Sequence, residues 1–217
     1  MSEEEKESRL SGKPLSTVEI AGAAIFGALS IVVGALTAPI LPRVPGWGIA
    51  YFDPISIIWI CCFLIFGVKA GLLCCTIGTI GLMPFDPFAP IGPLMKFSAT
   101  VSLILVGIII LKLYKKEEGM RKSQIIKKPK NYIFYGILGI LLRIGVMMIF
   151  NFLLFVTLFA PFLNSVSLEF IGLPGITSWS AVILGVIIIN AETSVWDLLI
   201  PYLIVFGLKL DEKFEIW

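Results

Sequence analysis

Ile49–Lys112 reads IAYFDPISIIWICCFLIFGVKAGLLCCTIGTIGLMPFDPFAPIGPLMKFSATVSLILVGIIILK, three apolar runs separated by two breaks of different kinds. The first break, FGVKAG, sets Gly67 and Gly71 around a single Lys69 and leaves room only for a tight reversal, so the flanking runs are expected to form an antiparallel helical hairpin. The second, Met83–Pro93, places four prolines in eleven residues and cannot continue a helix, because each proline removes a donor and clashes with the preceding turn. This order of segments carries Asp53, Asp86 and Lys96 to the end opposite Lys69. Ionisable groups inside or at the lip of apolar helices are costly and mark candidate sites.

The rest of the chain has the same character. Of its 217 residues, 58% are hydrophobic and 15% charged, and the mean hydropathy is +0.98. A soluble domain carries about 25% charged residues, so the composition is that of an integral membrane protein with one membrane domain. The acidic head MSEEEKESRLSGKPLSTVE lacks a short apolar core ending in a cleavage site, so the first helix is expected to stay. Cysteine occurs as two adjacent pairs, Cys61-Cys62 and Cys74-Cys75, and there is no histidine. Neighbouring side chains on a helix diverge by about 100°. The thiols are therefore expected to be apolar packing residues, with no metal or cofactor and no nucleic-acid partner. There is no Gly-rich phosphate loop, and a chain without histidine cannot supply a serine nucleophile with a histidine base, so no enzyme activity is expected.

Helices are expected over Thr17–Ala38, Tyr51–Phe66, Ala70–Met83, Leu94–Tyr114, Tyr132–Phe159 and Thr193–Leu208. The second and third would reach only about 21 to 24 Å, short of a hydrocarbon core of about 30 Å, which leaves a recess at one end. Lys112–Lys130 holds eight Lys/Arg and is expected in the cytoplasm. Placing the head, the Lys69 turn, this loop and the tail inside assigns fourteen of the seventeen basic residues there, which supports six crossings with both termini cytoplasmic. The expected fold is thus an all-α six-helix bundle over 17–210, with cytoplasmic tails at 1–16 and 211–217. A single helix over Ile176–Leu210 would exceed about 50 Å, so a break is expected at NAETS. The preceding Ser178–Asn190 would then lie re-entrant or along the outer face.

In this topology Asp53, Asp86, Lys96, Asn151, Asn190 and Glu192 converge on the outer half, with Trp47, Tyr51, Phe52, Phe85 and Trp179 among them. Polar groups interleaved with aromatic faces suit a small-molecule pocket beneath the Pro39–Gly48 loop; interfacial aromatics and solvated helix ends are the alternative. The expected substrate contacts are Trp47, Asp53, Phe85, Lys96, Asn151, Asn190 and Glu192. Arg143 lies deeper and requires a partner such as Glu192, Asp197 or backbone carbonyls. On the first helix Ala21, Ala24 and Ala28 fall on one side, and Ala23, Gly27, Ser30 and Gly34 on the neighbouring side. Small faces let helices approach closely, either within the bundle or against a partner.

The runs YFDPISI at the mouth of the second helix, LIFGVKAGLL at the hairpin turn and DPFAPIGPLMKF leading into the fourth helix resemble the S components of energy-coupling factor (ECF) transporters. So does AIFGA, Ala24–Ala28. The resemblance covers about residues 17–210. It implies a membrane subunit that captures a vitamin from outside and hands it to a transmembrane T subunit and ATPase subunits, with Ala24 and Ala28 docking on the T subunit. The chain looks most like the riboflavin type, from the aspartate at the second helix and from IINAETSVWDLLIPYLI in the last. It departs in having Glu192 after Asn190 and no lysine there, which leaves another vitamin or a cationic ligand open. The reading from a different class is a self-sufficient channel or a lipid-modifying membrane enzyme.

Overall fold

A computed structural model describes residues 14–41, 52–113 and 121–217. Helix α1 spans Thr17–Thr37, α2 Pro54–Phe66, α3 Val68–Leu82, α4 Ile91–Leu113, α5 Lys122–Lys127, α6 Pro129–Thr157, α7 Ser178–Tyr202 and α8 Leu210–Phe214. Among the described residues, four segments are long and apolar enough to cross a membrane: α1, α4, α6, and α7 with its continuation to Gly207. Helices α2 and α3 are shorter and equally apolar. The molecule is an all-α multi-pass membrane protein with one small β-ribbon.

Helix α2 is the centre of the bundle. Of its 13 residues all but Pro54 and Ile58 are buried, which an apolar run without periodicity allows only when other helices surround it. Asp53 starts it, its side chain accepting from the Ile55 amide at 3.1 Å. Gly67 ends it at φ 94° and also begins α3, so the reversal occupies a single residue whose conformation a side chain would strain.

Helix α1 opens with a reciprocal cap, the Glu19 amide donating to Ser16 Oγ and the Ser16 amide to Glu19 Oε2. Its Gly22, Ala23, Gly27, Ser30 and Gly34 face inward, whereas Ala21, Ala24 and Ala28 are exposed. The inward face locks on a hydrogen bond, Trp59 Nε1 donating to Ser30 Oγ at 2.8 Å. That bond passes over Gly78, where an added Cβ would lie 2.5 Å from the indole nitrogen.

The capping structure sits between α6 and α7. Turns at Ala160–Ser165 and Glu169–Ile171 flank an antiparallel ribbon, Ser167–Leu168 (β1) against Leu173–Thr177 (β2). Leu168 and Val166 point from it into a second core cluster with Ala99, Met147, Phe155 and Val186. The break expected at NAETS is absent, and so is the re-entrant Ser178–Asn190 segment: α7 runs unbroken through both. The polar residues satisfy themselves on the helix, with Asn190 Nδ2 donating to Val186 O, Thr193 Oγ1 to Ile189 O and Ser194 Oγ to Asn190 O. The irregularity comes later, as a π turn over Leu203–Gly207 after Pro201. Its length beyond one bilayer crossing is taken up at its ends, not by a break.

Candidate functional site

Two ion pairs organise the interior around one cavity. Asp53, already the cap of α2, accepts from Ser56 Oγ at 3.2 Å and receives the Lys96 ammonium at 3.3 Å. Thr100 Oγ1 extends the chain by donating to Ser56 Oγ at 3.0 Å. Helices α2 and α4 are thereby tied at the cavity wall.

The second pair is deeper. Arg143 on α6 spreads its guanidinium along one face of α7, from Nε to Asn190 Oδ1 at 3.2 Å, from one terminal nitrogen to Thr193 Oγ1 at 3.1 Å, and from the other to Asp197 Oδ2 at 2.5 Å. Positions 190, 193 and 197 share a face because they step by three and four residues. Arg143 and Asp197 are both buried, so the pair is shielded from water and its bonds are correspondingly strong. The second carboxylate oxygen, Asp197 Oδ1, is buried without a hydrogen-bond partner among the described residues.

The cavity has a volume of about 890 Å³ and is bounded by α1, α2, the end of α3, the α3–α4 connection, α4, α6, α7 and the capping segment. Its polar lining includes Asp53, Asp86, Lys96, Arg143, Asn151, Asn190 and Thr193; its apolar lining includes Ile55, Met95, Met147, Phe155 and Phe162. Asn151 gives one amide N–H to Met147 O at 2.8 Å, which leaves its second N–H as a donor and its side-chain oxygen as an acceptor. Each cation here already has a carboxylate of its own.

Of the residues singled out in the sequence, Asp53, Phe85, Lys96, Asn151 and Asn190 line this cavity together. Trp47 and Tyr51, with most of the Pro39–Gly48 loop expected to roof the pocket, lie outside the described residues. Glu192 is a correction. It is exposed, lies off the cavity and accepts from Trp196 Nε1 at 2.6 Å, because two residues along a helix turn the side chain by about 200° from Asn190. Trp179 stacks on Phe152 with ring centres 5.4 Å apart and is not in the lining. Arg143, for which the sequence requires a partner, is paired with Asp197 and also forms part of the cavity surface. Thr193 had no signal of its own, yet its spacing from Asn190 and Asp197 would have revealed the Arg143-binding face once the helix was taken as continuous.

Among the described residues no group of three His, Cys, Asp or Glu side chains could hold a metal ion, and all four cysteines are buried free thiols. Comparison with protein-family models, with curated proteins and with solved structures finds no match to this chain.

Proposed function

We propose that this protein is the substrate-capturing membrane subunit of an ECF-type vitamin uptake transporter, crossing the cell membrane six times with both termini in the cytoplasm. The observation that carries the reading is the cavity of about 890 Å³, whose two lining cations, Lys96 and Arg143, are each paired with a carboxylate. Its size suits a small-molecule site of about 300–1,000 Å³. Mostly apolar walls with a few placed hydrogen-bonding groups suit a ligand that is bound and released without chemical change. Among the described residues that line it, no nucleophile stands beside a base.

The charge pattern narrows the ligand. Lys96 is paired with Asp53 and Arg143 with Asp197, so an anion would have to displace a partly or fully buried carboxylate, and a cation would meet an ammonium and a guanidinium as well as the Asp86 carboxylate, which is in neither pair. An uncharged ring system with hydrogen-bonding edges, riboflavin included, fits without breaking either pair. The exposed Ala21, Ala24 and Ala28 give α1 small outward positions, beside exposed Ile25, Leu29 and Val32, for the T subunit, while its inward small face is already used by α2 and α3.

The test is mass spectrometry of small molecules retained by the purified protein, together with co-purification of partner ATPase subunits. Retention of an uncharged vitamin and recovery of the ATPase subunits support the reading. Lipid turnover or ion flux by the isolated protein, with neither ligand nor partner, overturns it.

A further inference from the structure

A second concavity lies far from the polar interior, where the N-terminal end of α6 meets the π turn that follows α7. It has a volume of about 440 Å³ and is lined by Gln124, Lys127, Lys128 and Pro129 on one side and Tyr202, Leu203, Phe206 and Gly207 on the other. The two sides differ in chemistry. One is basic and polar; the other is aromatic, aliphatic and, at Gly207, bare.

Its depth in the membrane can be read from the neighbouring surface. On α6 the exposed side chains change within one turn from Lys128 and Lys130 to Ile133, Phe134 and Ile137. Along the other wall, exposed Leu203 and Leu208 give way to exposed Lys209. Both transitions mark the boundary between hydrocarbon and headgroups, and the concavity straddles it. Of its two lysines, Lys127 is spent: its ammonium contacts Asp211 at 3.3 Å and Glu212 at 2.6 Å. Lys128 is exposed and forms no ion pair among the described residues. Tyr202 Oη donates to Lys127 O at 3.0 Å, holding the aromatic wall against the basic one.

We propose that this groove is a binding site for an anionic phospholipid, with the phosphate against Lys128 and an acyl chain laid along Leu203 and Phe206 past Gly207. Basic pockets between membrane helices on the positively charged side recognise acidic headgroups, and the apolar wall directly above gives the site a place for the chain that a free phosphate would leave empty. The inference does not depend on the transport reading, only on the membrane boundary.

The experiment uses the full chain in nanodiscs of phosphatidylcholine mixed with phosphatidylglycerol, followed by native mass spectrometry of lipids retained on release. The wild type should keep phosphatidylglycerol in preference to phosphatidylcholine. Lys128→Ala should lower that preference several-fold, and so should Gly207→Leu, since Gly207 lines the groove and a Cβ there meets nothing within 4 Å, so that the added side chain takes up groove volume. Lys69→Ala, at the exposed turn between α2 and α3, should leave it unchanged. Equal retention of both lipids overturns the proposal, as does an equal loss with Lys69→Ala and Lys128→Ala, which would indicate general surface charge. Displacement of the retained lipid by inorganic phosphate alone would also overturn it, by showing that the acyl wall contributes nothing.

Discussion

At the end of the bundle where α6 begins, aromatic rings fill the space between helices: Tyr132 lies 4.5 Å from Tyr202, Tyr202 5.1 Å from Phe206, and Phe63 5.6 Å from Trp217. At the other end the same helices surround a cavity of about 890 Å³ and meet through charges. The interior of the first end is held by ring area and a few bonds to carbonyls, such as Tyr132 Oη to Leu198 O and Trp217 Nε1 to Leu64 O, with the Lys127 pairs to Asp211 and Glu212 beside it. The second is held by paired ions around empty volume. Packing that cannot rearrange anchors one end, so the other can stay open without the bundle loosening as a whole.

The sharpest way to break this contrast is at the deepest ion pair. Arg143→Ala or Asp197→Ala should cost about 3–5 kcal/mol, because either leaves a buried charge without its partner. The joint replacement Arg143→Met with Asp197→Leu should cost less than either single change, which thermal unfolding of the purified variants would reveal. Trp217→Ala tests the filled end: loss of its stacking and of its bond to Leu64 O should cost about 2–4 kcal/mol, with ligand affinity nearly unchanged. A fall in affinity would mean that the two ends are coupled.

Lys96→Ala should act in the opposite sense, weakening ligand binding by about 1–3 kcal/mol as Asp53 is left unpaired, with little loss of fold. Glu192→Gln should do nothing to binding, since its carboxylate lies off the cavity on Trp196. Calorimetric titration separates the two. The smallest effect belongs to the tail. Its hydrogen bond to Lys127 pulls the Glu212 carboxyl below the usual carboxylate range, so that part of the tail's attachment is present above that range and is lost as pH falls through the lowered value. The same hydrogen bond raises the Lys127 ammonium above its ordinary value, so its share persists at neutral pH and is lost only as pH climbs through the raised value. Limited proteolysis of the C-terminal segment across pH should show a protected plateau at neutral pH that declines on the acid side first.

What the sequence reveals depends on whether a signal is local. Gly67, the Asp53 cap and the Met83–Pro93 break are local, and the boundaries of α2, α3 and α4 fall within a few residues of those read from the sequence. The cluster of Asp53, Lys96, Asn151 and Asn190 was legible because buried polar residues in apolar helices are rare. Asn190–Ser194 misled because polarity inside an apolar run looks like an end, whereas here it faces a guanidinium from another helix. Only the long-range partner distinguishes those cases. The same error placed Glu192 in the pocket. The ribbon at Ser167–Thr177 carries no clear signal in the sequence, since its pairing rests on few residues.

The brevity of α3 has a consequence for what lies outside the protein. Helix α2 is sheathed by its neighbours, but α3 exposes Thr76 and Ile80, and its 15 residues reach only about 22 Å against a hydrocarbon thickness of about 30 Å. Along that one flank the surrounding bilayer must pinch, while beside α6 it need not. A collar of lipid thinned on that side is the expected consequence, and the protein should lose thermal stability as acyl chains are lengthened, with the cost concentrated at the α3 flank.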